Sequence, residues 1–185
     1  MKKIKLFDPF TNESEKNAIK QIFDSHFWAS GGGVGKVQKF EEKFSKYTSS
    51  KSCVAVNSGT AALNLALSMY NIKNKEVIIP SLSFVSTANA VIENGGIPKF
   101  VDIDPEKILK VISKITKIIL PVHFGGLASN LGEISKLCKE HKISLVEDAA
   151  HAAGSLYQNK KIGSHGELVC FSFHPVKNLA MPTGG

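Results

Sequence analysis

Arginine is absent from this 185-residue sequence, and all 23 of its basic residues are lysine. The planar guanidinium that reads base edges and grips phosphates in pairs of hydrogen bonds is therefore missing. The lysines are spread along amphipathic segments, with only the short pairs Lys2-Lys3 and Lys160-Lys161 standing together. The formal charge of +7 reads as a solvated surface that favours anionic small-molecule substrates, not nucleic acid. Cysteine is scarce as well. Cys53, Cys138 and Cys170 are odd in number and widely spaced, which excludes a disulfide framework and predicts reduced thiols in a cytoplasmic protein. The six histidines lack cysteine or carboxylate partners at zinc spacing, so no metal is expected. No apolar run approaches a membrane span, and MKKIKLFDPF at the start is too polar for a signal peptide.

What the chain does have is a hydrophobic content of 43% against 21% charged residues, the balance of a folded globular domain. Short apolar runs alternate with helical segments. Helices are expected from Asn12 to Phe23, with Ala18, Ile19, Ile22 and Phe23 on one stripe and Thr11 or Asn12 as cap, and around Val37, Phe40 and Phe44. Strands follow at Cys53–Val56, Val77–Ile79, Lys99–Val101, Lys117–Leu120, Ile143–Val146 and Leu168–Phe173. Between them lie helical stretches at Thr60–Tyr70, Ser86–Glu93, after Pro105, and at Leu131–His141. This alternation predicts an α/β fold, a mostly parallel central sheet with helices on both faces. Such sheets place ligands at the carboxyl ends of their strands. The closing residues Met181-Pro-Thr-Gly-Gly185 resemble a turn leading onward, so the fold is expected to be incomplete.

Three features converge on that edge. Asp148 directly follows the apolar run Ile143–Val146 and its neighbour Glu147, where a carboxylate needs a cationic partner. Lys177 lies just past the last apolar run, in Phe171-Ser-Phe-His-Pro-Val-Lys177. A lysine able to form a Schiff base, and an acid able to keep a pyridine nitrogen protonated, together suit pyridoxal 5'-phosphate (PLP). Asn57-Ser-Gly-Thr60 joins a strand to a helix, and its glycine, helix-start N–H groups and Thr60 hydroxyl suit a monophosphate. Taken alone, that turn reads as a glycine turn with a threonine cap, and Asp148 reads equally as a helix cap. Ser172 sits where its hydroxyl can reach the same phosphate, Phe84 where it can stack on a ring, and His151 where it can donate to the ring's phenolate oxygen. Gly31-Gly-Gly-Val-Gly-Lys36 is rejected as a nucleotide-binding loop, because Ser30 stands where the first glycine belongs and Val37 where magnesium needs a hydroxyl.

In order along the chain, these motifs resemble the DegT/StrS group of PLP-dependent nucleotide-sugar aminotransferases, which have the fold-type I architecture. The resemblance runs through Gly35–Phe44, Asn57-Ser-Gly-Thr-Ala61, Pro80–Thr87, Phe100–Asp104, Pro121–Gly125, Glu147–Ala152 and Phe171–Lys177. It implies Lys177 as the Schiff-base lysine and Asp148 on the pyridine nitrogen, with Gly59, Thr60, Ala61 and Ser172 on the phosphate and Phe84 stacked on the ring. His151 stands where the group often has glutamine. Lys177 argues against a dehydratase branch that carries histidine there, and Pro182-Thr-Gly-Gly185 departs from the usual Gly-Glu-Gly-Gly. The resemblance also implies that residues 1–185 form the N-terminal part of the PLP-binding large domain, without the C-terminal small domain. The parent would convert a nucleotide-linked keto-sugar, expected to be a 4-keto-6-deoxyhexose, with glutamate as amino donor, and would act as a homodimer. A different fold-type I reaction, or a non-catalytic remnant, remains the alternative.

Overall fold

The structure, a computed structural model, describes Lys5 and residues 8–28 and 35–185; most of the rejected glycine run Gly31–Lys36 lies outside the described residues. The chain divides into two compact units, Met1–Ala55 and Val56–Gly185. The first holds α1 (Glu13–Ser25) and α2 (Lys36–Thr48). Asn12 starts α1 by accepting from Ser14 N at 2.7 Å, while Glu15 reaches back to Asn12 N at 2.7 Å, a reciprocal capping box. The expected apolar stripe forms on α1, but no residue of that helix is buried. In α2, Phe40 stacks on the buried Phe44 with ring centroids 5.6 Å apart.

The second unit carries α3 (Gly59–Ser68), β1 (Glu76–Pro80), α4 (Val85–Glu93), β2 (Ile97–Val101), α5 (Pro105–Val111), β3 (Thr116–Ile119), α6 (Leu131–His141), β4 (Ser144–Asp148), the two-residue strands β5 (Leu156–Tyr157) and β6 (Lys160–Lys161), and β7 (Leu168–Cys170). Five strands form a wholly parallel sheet in the order β2-β1-β3-β4-β7. Alternation along the strands divides their side chains between two faces. Val77, Ile79, Ile118, Leu120 and Val146 pack with Leu63 and Leu67 of α3 and Ala90 and Val91 of α4. Ile78 and Ile119 turn the other way, onto Ile108 of α5 and Ile134 and Cys138 of α6. Each such fully buried aliphatic side chain contributes roughly 1.5–3 kcal/mol, and both sheet faces are covered as the sequence predicts.

Two expectations are corrected. Cys53–Val56 forms no strand, and Val56 instead exchanges two main-chain hydrogen bonds with Gly185, at 2.9 and 3.0 Å. The expected strand Leu168–Phe173 ends at Cys170, and Phe171–Phe173 lie beyond the sheet. A hairpin joining β5 and β6 was not foreseen. Gln158 and Asn159 both adopt left-handed backbone there, at φ 48° and 63°, the geometry of a tight two-residue hairpin turn.

Candidate functional site

Asp148 ends β4 and is buried, 4% exposed. Its register partner in β7 is Cys170, so the chain that leaves β7 towards Lys177 departs beside it. No helix follows Asp148, which removes the helix-cap alternative. Instead Oδ1 accepts from Ala150 N at 3.1 Å in a tight turn, and Oδ2 accepts from Thr87 Oγ1 of α4 at 2.9 Å. Main-chain bonds from Asp148 N to Pro121 O and from His123 N to Asp148 O lock the strand end on its other side.

Gly59 opens α3 against the chain just past β7. A β-carbon there would lie 2.8 Å from Ser172 Cβ and 3.2 Å from Phe171 O, so only glycine permits this approach. The helix is capped by Ser58, whose Oγ accepts from Ala61 N at 3.1 Å; this corrects the reading of Thr60 as the cap. Thr60 is exposed on the first turn, and Ser172 is buried beside Gly59. Glycine, helix start and serine hydroxyl thus meet at one point.

Lys177 is half-buried at the end of a turn in which its own N–H donates to His174 O at 2.8 Å. His174 Nδ1 accepts from Val176 N at 3.4 Å, so this histidine shapes the turn that carries the lysine. Asn178 Nδ2 donates to Ala153 O and ties the same turn to the segment after Asp148. Burial holds the Lys177 amine below its ordinary pKa, against the opposing pull of Asp148. His151 is held low by burial and by the Lys177 charge, while Asp148 acts the other way. These three groups therefore interact electrostatically at one strand edge. A turn, not the expected helix, brings His151 there.

The His151 ring is fixed by its surroundings. Nδ1 accepts from Gly125 N at 3.1 Å, and Phe124 meets the ring edge-on at 5.2 Å. The neutral ring must then carry its proton on Nε2, leaving that atom as a donor. Phe84 forms the N-cap position of α4 and is 69% exposed, an open aromatic face one helical turn from Thr87.

Sequence reasoning missed a buried pair behind Asp148. His123 and Glu147 are both fully buried, and their Nε2 and Oε2 lie 2.9 Å apart. His123 Nδ1 accepts from Ser129 N at 3.0 Å, so the ring proton sits on Nε2 and is donated to Glu147. Glu147 Oε1 is buried without a hydrogen-bond partner among the described residues, and a β-carbon at Gly166 would overlap it. Thr87 and Ser83, their hydroxyls 2.6 Å apart, were also missed. The adjacent acids Glu147 and Asp148 were visible in the sequence, and strand alternation turns them to opposite faces, but nothing there indicated that His123 is the partner of Glu147. Burial pushes the Cys138 and Cys170 thiols up to about 12, so neither is a nucleophile.

The donor set fits PLP. Gly59 brings the first turn of α3 against the Ser172 hydroxyl, Asp148 is a buried carboxylate suited to a ring cation, and Lys177 supplies a depressed amine that feels the Asp148 charge. Among the described residues no group of His, Cys, Asp and Glu could hold a metal ion, and no helix is long and apolar enough to cross a membrane.

The profile of the DegT/DnrJ/EryC1/StrS aminotransferase family matches residues 9–185. The spore coat polysaccharide biosynthesis protein SpsC of Bacillus subtilis is 40% identical over 185 residues, which cover 96% of this chain and 47% of SpsC. The Streptococcus pneumoniae protein Spr1654, solved in a PLP-form, superposes with a TM-score of 0.92 at 28% identity over 98% of this chain and 52% of its own. Helicobacter pylori PseC, an aminotransferase in pseudaminic acid biosynthesis, gives 0.91 at 31% identity over 99% and 51%. The chain thus spans about half the length of the relatives it matches.

Proposed function

The chain belongs to the DegT/DnrJ/EryC1/StrS aminotransferase family, and from that premise we propose that it forms the cofactor-binding part of a PLP-dependent sugar aminotransferase. The substrate is a nucleotide-linked keto-sugar, a 4-keto-6-deoxyhexose, and glutamate is the amino donor. The product is an amino sugar for a surface glycan, in keeping with the part of SpsC in spore coat polysaccharide biosynthesis. Residues 1–185 are the N-terminal part of the PLP-binding large domain, and the small domain is supplied by further residues of the full-length protein, which works as a homodimer.

Bound PLP supplies an aldehyde that joins covalently to an amine and a ring that accepts the electrons left when a proton leaves the adjacent carbon. Lys177 presents the amine for that attachment, and its depressed pKa keeps more of it neutral and nucleophilic. The same amine, when free, would be the base that takes the proton from the amino donor's α-carbon. Asp148, its carboxylate fixed by donors on both oxygens, would face the pyridine nitrogen. Gly59, Thr60, Ala61 and Ser172 hold the phosphate, Phe84 covers one ring face, and His151 donates from Nε2. Ala61 N already donates to Ser58 Oγ, so it reaches a phosphate only by sharing that proton or releasing it.

The observation that carries this reading is the placing of Asp148 at the end of β4 in register with Cys170, with the turn of Lys177 tied by Asn178 to Ala153, at the strand edge where Gly59 meets Ser172. The intact protein should gain a visible-edge absorbance band with added PLP, and Lys177→Ala should abolish it. Supplied with glutamate and a nucleotide-linked keto-sugar, it should form the amino sugar. No band in the folded protein refutes the cofactor assignment; a band without turnover on any such sugar refutes the substrate assignment alone.

A further inference from the structure

Thr87 lies on α4, 61 positions before Asp148, and is fully buried with its hydroxyl on the carboxylate. A hydroxyl has a single proton to donate. Thr87 gives it to Asp148 Oδ2 at 2.9 Å, and its 2.6 Å contact with Ser83 must then be a bond that Ser83 donates. The hydrogen bonds run one way, from Ser83 to Thr87 to Asp148. With Ala150 N on Oδ1, each carboxylate oxygen has a donor, which fixes the plane of the group.

The helix carrying Thr87 begins at Phe84. One turn of α4 therefore spaces the exposed aromatic ring and the hydroxyl that grips Asp148. Thr87 N donates to Phe84 O at 3.1 Å, which closes that turn. The two supports assigned to the cofactor ring, one on its face and one at its nitrogen, are thus tied to a common backbone turn.

Resting on the PLP reading above, we infer that Thr87 is a positioning residue, which with Ser83 behind it orients the Asp148 carboxylate towards the pyridine nitrogen and keeps that nitrogen protonated. Thr87 itself touches no reacting atom; it acts through Asp148. A threonine that merely filled space would be replaced without loss by valine, which has the same shape and lacks only the hydroxyl.

The test compares Thr87→Val, Thr87→Ser, Ser83→Ala and Asp148→Asn in the intact protein, using PLP labelled with ¹⁵N at the ring nitrogen. The measurements are the ¹⁵N shift of bound PLP across a pH series and the Kd for PLP. Thr87→Val should weaken PLP binding about tenfold, the loss of one hydrogen bond to a charged group. It should also move the ring-nitrogen signal towards the unprotonated position at a pH where the parent is protonated. Thr87→Ser should restore both properties, and Ser83→Ala should shift them the same way by less. Ser83→Ala carries the test should Thr87→Val fail to fold. A parent-like signal and Kd in Thr87→Val and Ser83→Ala, with Asp148→Asn still shifted, overturns the role of Thr87 and leaves the PLP reading standing. Should Asp148→Asn leave the ring signal unmoved, the placing of Asp148 on the ring nitrogen and this inference fall together; should the intact parent bind no labelled PLP, the cofactor reading itself falls.

Discussion

His123 donates from Nε2 to Oε2 of Glu147 across 2.9 Å, and both side chains are excluded from solvent. The other oxygen of Glu147 has no hydrogen-bond partner among the described residues, so the carboxyl depends on this donor. Replacing His123 by phenylalanine fills the space and strands a buried carboxyl group. We expect His123→Phe to lower unfolding stability by about 3–5 kcal/mol. The double variant His123→Phe with Glu147→Leu should recover much of that loss, because the stranded carboxyl is removed and only Ser129 N, which donated to His123 Nδ1, is left unpaired. Denaturant unfolding checks it; equal losses in the single and double variants would refute the pairing argument.

At Gly59 the constraint is close approach, not backbone freedom. The β-carbon of alanine would meet Ser172 Cβ at 2.8 Å and Phe171 O at 3.2 Å, and neither is the end of a flexible side chain. Gly59→Ala should destabilise the fold by about 1–3 kcal/mol through overpacking. It should also weaken PLP binding at least tenfold, because the first turn of α3 is pushed away from Ser172. Titration with PLP, followed by fluorescence, separates the two effects. Gly125→Ala is the contrasting case, since nothing lies within 4 Å of its β-carbon and only its φ of 62° opposes the change.

Much of the fold was legible because its causes are local. Leu131–His141 shows the helical period, and the helix has those bounds. Val77–Ile79 and Lys117–Leu120 are apolar on both faces, as strands between two helical layers must be. Cys53–Val56 looks the same in composition, but a strand also needs a neighbour in register, and composition does not supply one. Within the site, Asp148 and Lys177 stood out because a charge after an apolar run calls for an explanation. Thr87 gave no such signal: a hydroxyl in the small-residue helix Val85–Glu93 looks like a solvated residue. Its partner is 61 positions away, and the partner of Glu147 is 24 positions away. Pairings over such distances are set by topology, not by residue type.

The depressed amine of Lys177 makes the cofactor-free protein pH-sensitive. A lysine whose folded pKa lies below its unfolded value holds fewer protons when folded. Stability then rises with pH between those two values, and the penalty for confining the charge is fully present below the folded one. In the cofactor-free protein, Lys177→Met should therefore be more stable than the parent at neutral pH. The gain should shrink to nothing as pH approaches the ordinary lysine value of 10.5. Melting temperatures of both proteins across that range provide the check, and a constant difference at every pH would contradict the electrostatic origin.

At the opposite end of β1 from the site, Glu76 shows the reverse dependence. Ser113 Oγ and Thr116 Oγ1 donate to its Oε2 at 2.6 and 2.9 Å, and Lys99 Nζ bridges both oxygens at 3.1 Å. These donors, Ser113 foremost, hold the carboxyl below its ordinary 4.5 against a smaller opposing effect of burial. The folded state then binds fewer protons than the unfolded chain between the two pKa values. The associated stability is present above about pH 4.5 and disappears as pH falls through the folded value. Glu76→Gln keeps the shape and removes the charge, so it should lower stability by about 1–2 kcal/mol at pH 7. In acid, where the parent carboxyl is itself neutral, the two proteins should converge. Because Glu76 joins β1, β2 and the start of β3 and touches none of the proposed cofactor residues, the Kd for PLP should stay at the parent value while the acid limb of the stability curve flattens. A loss at pH 7 that persists undiminished at pH 3 would mean that the contribution comes from packing and not from charge.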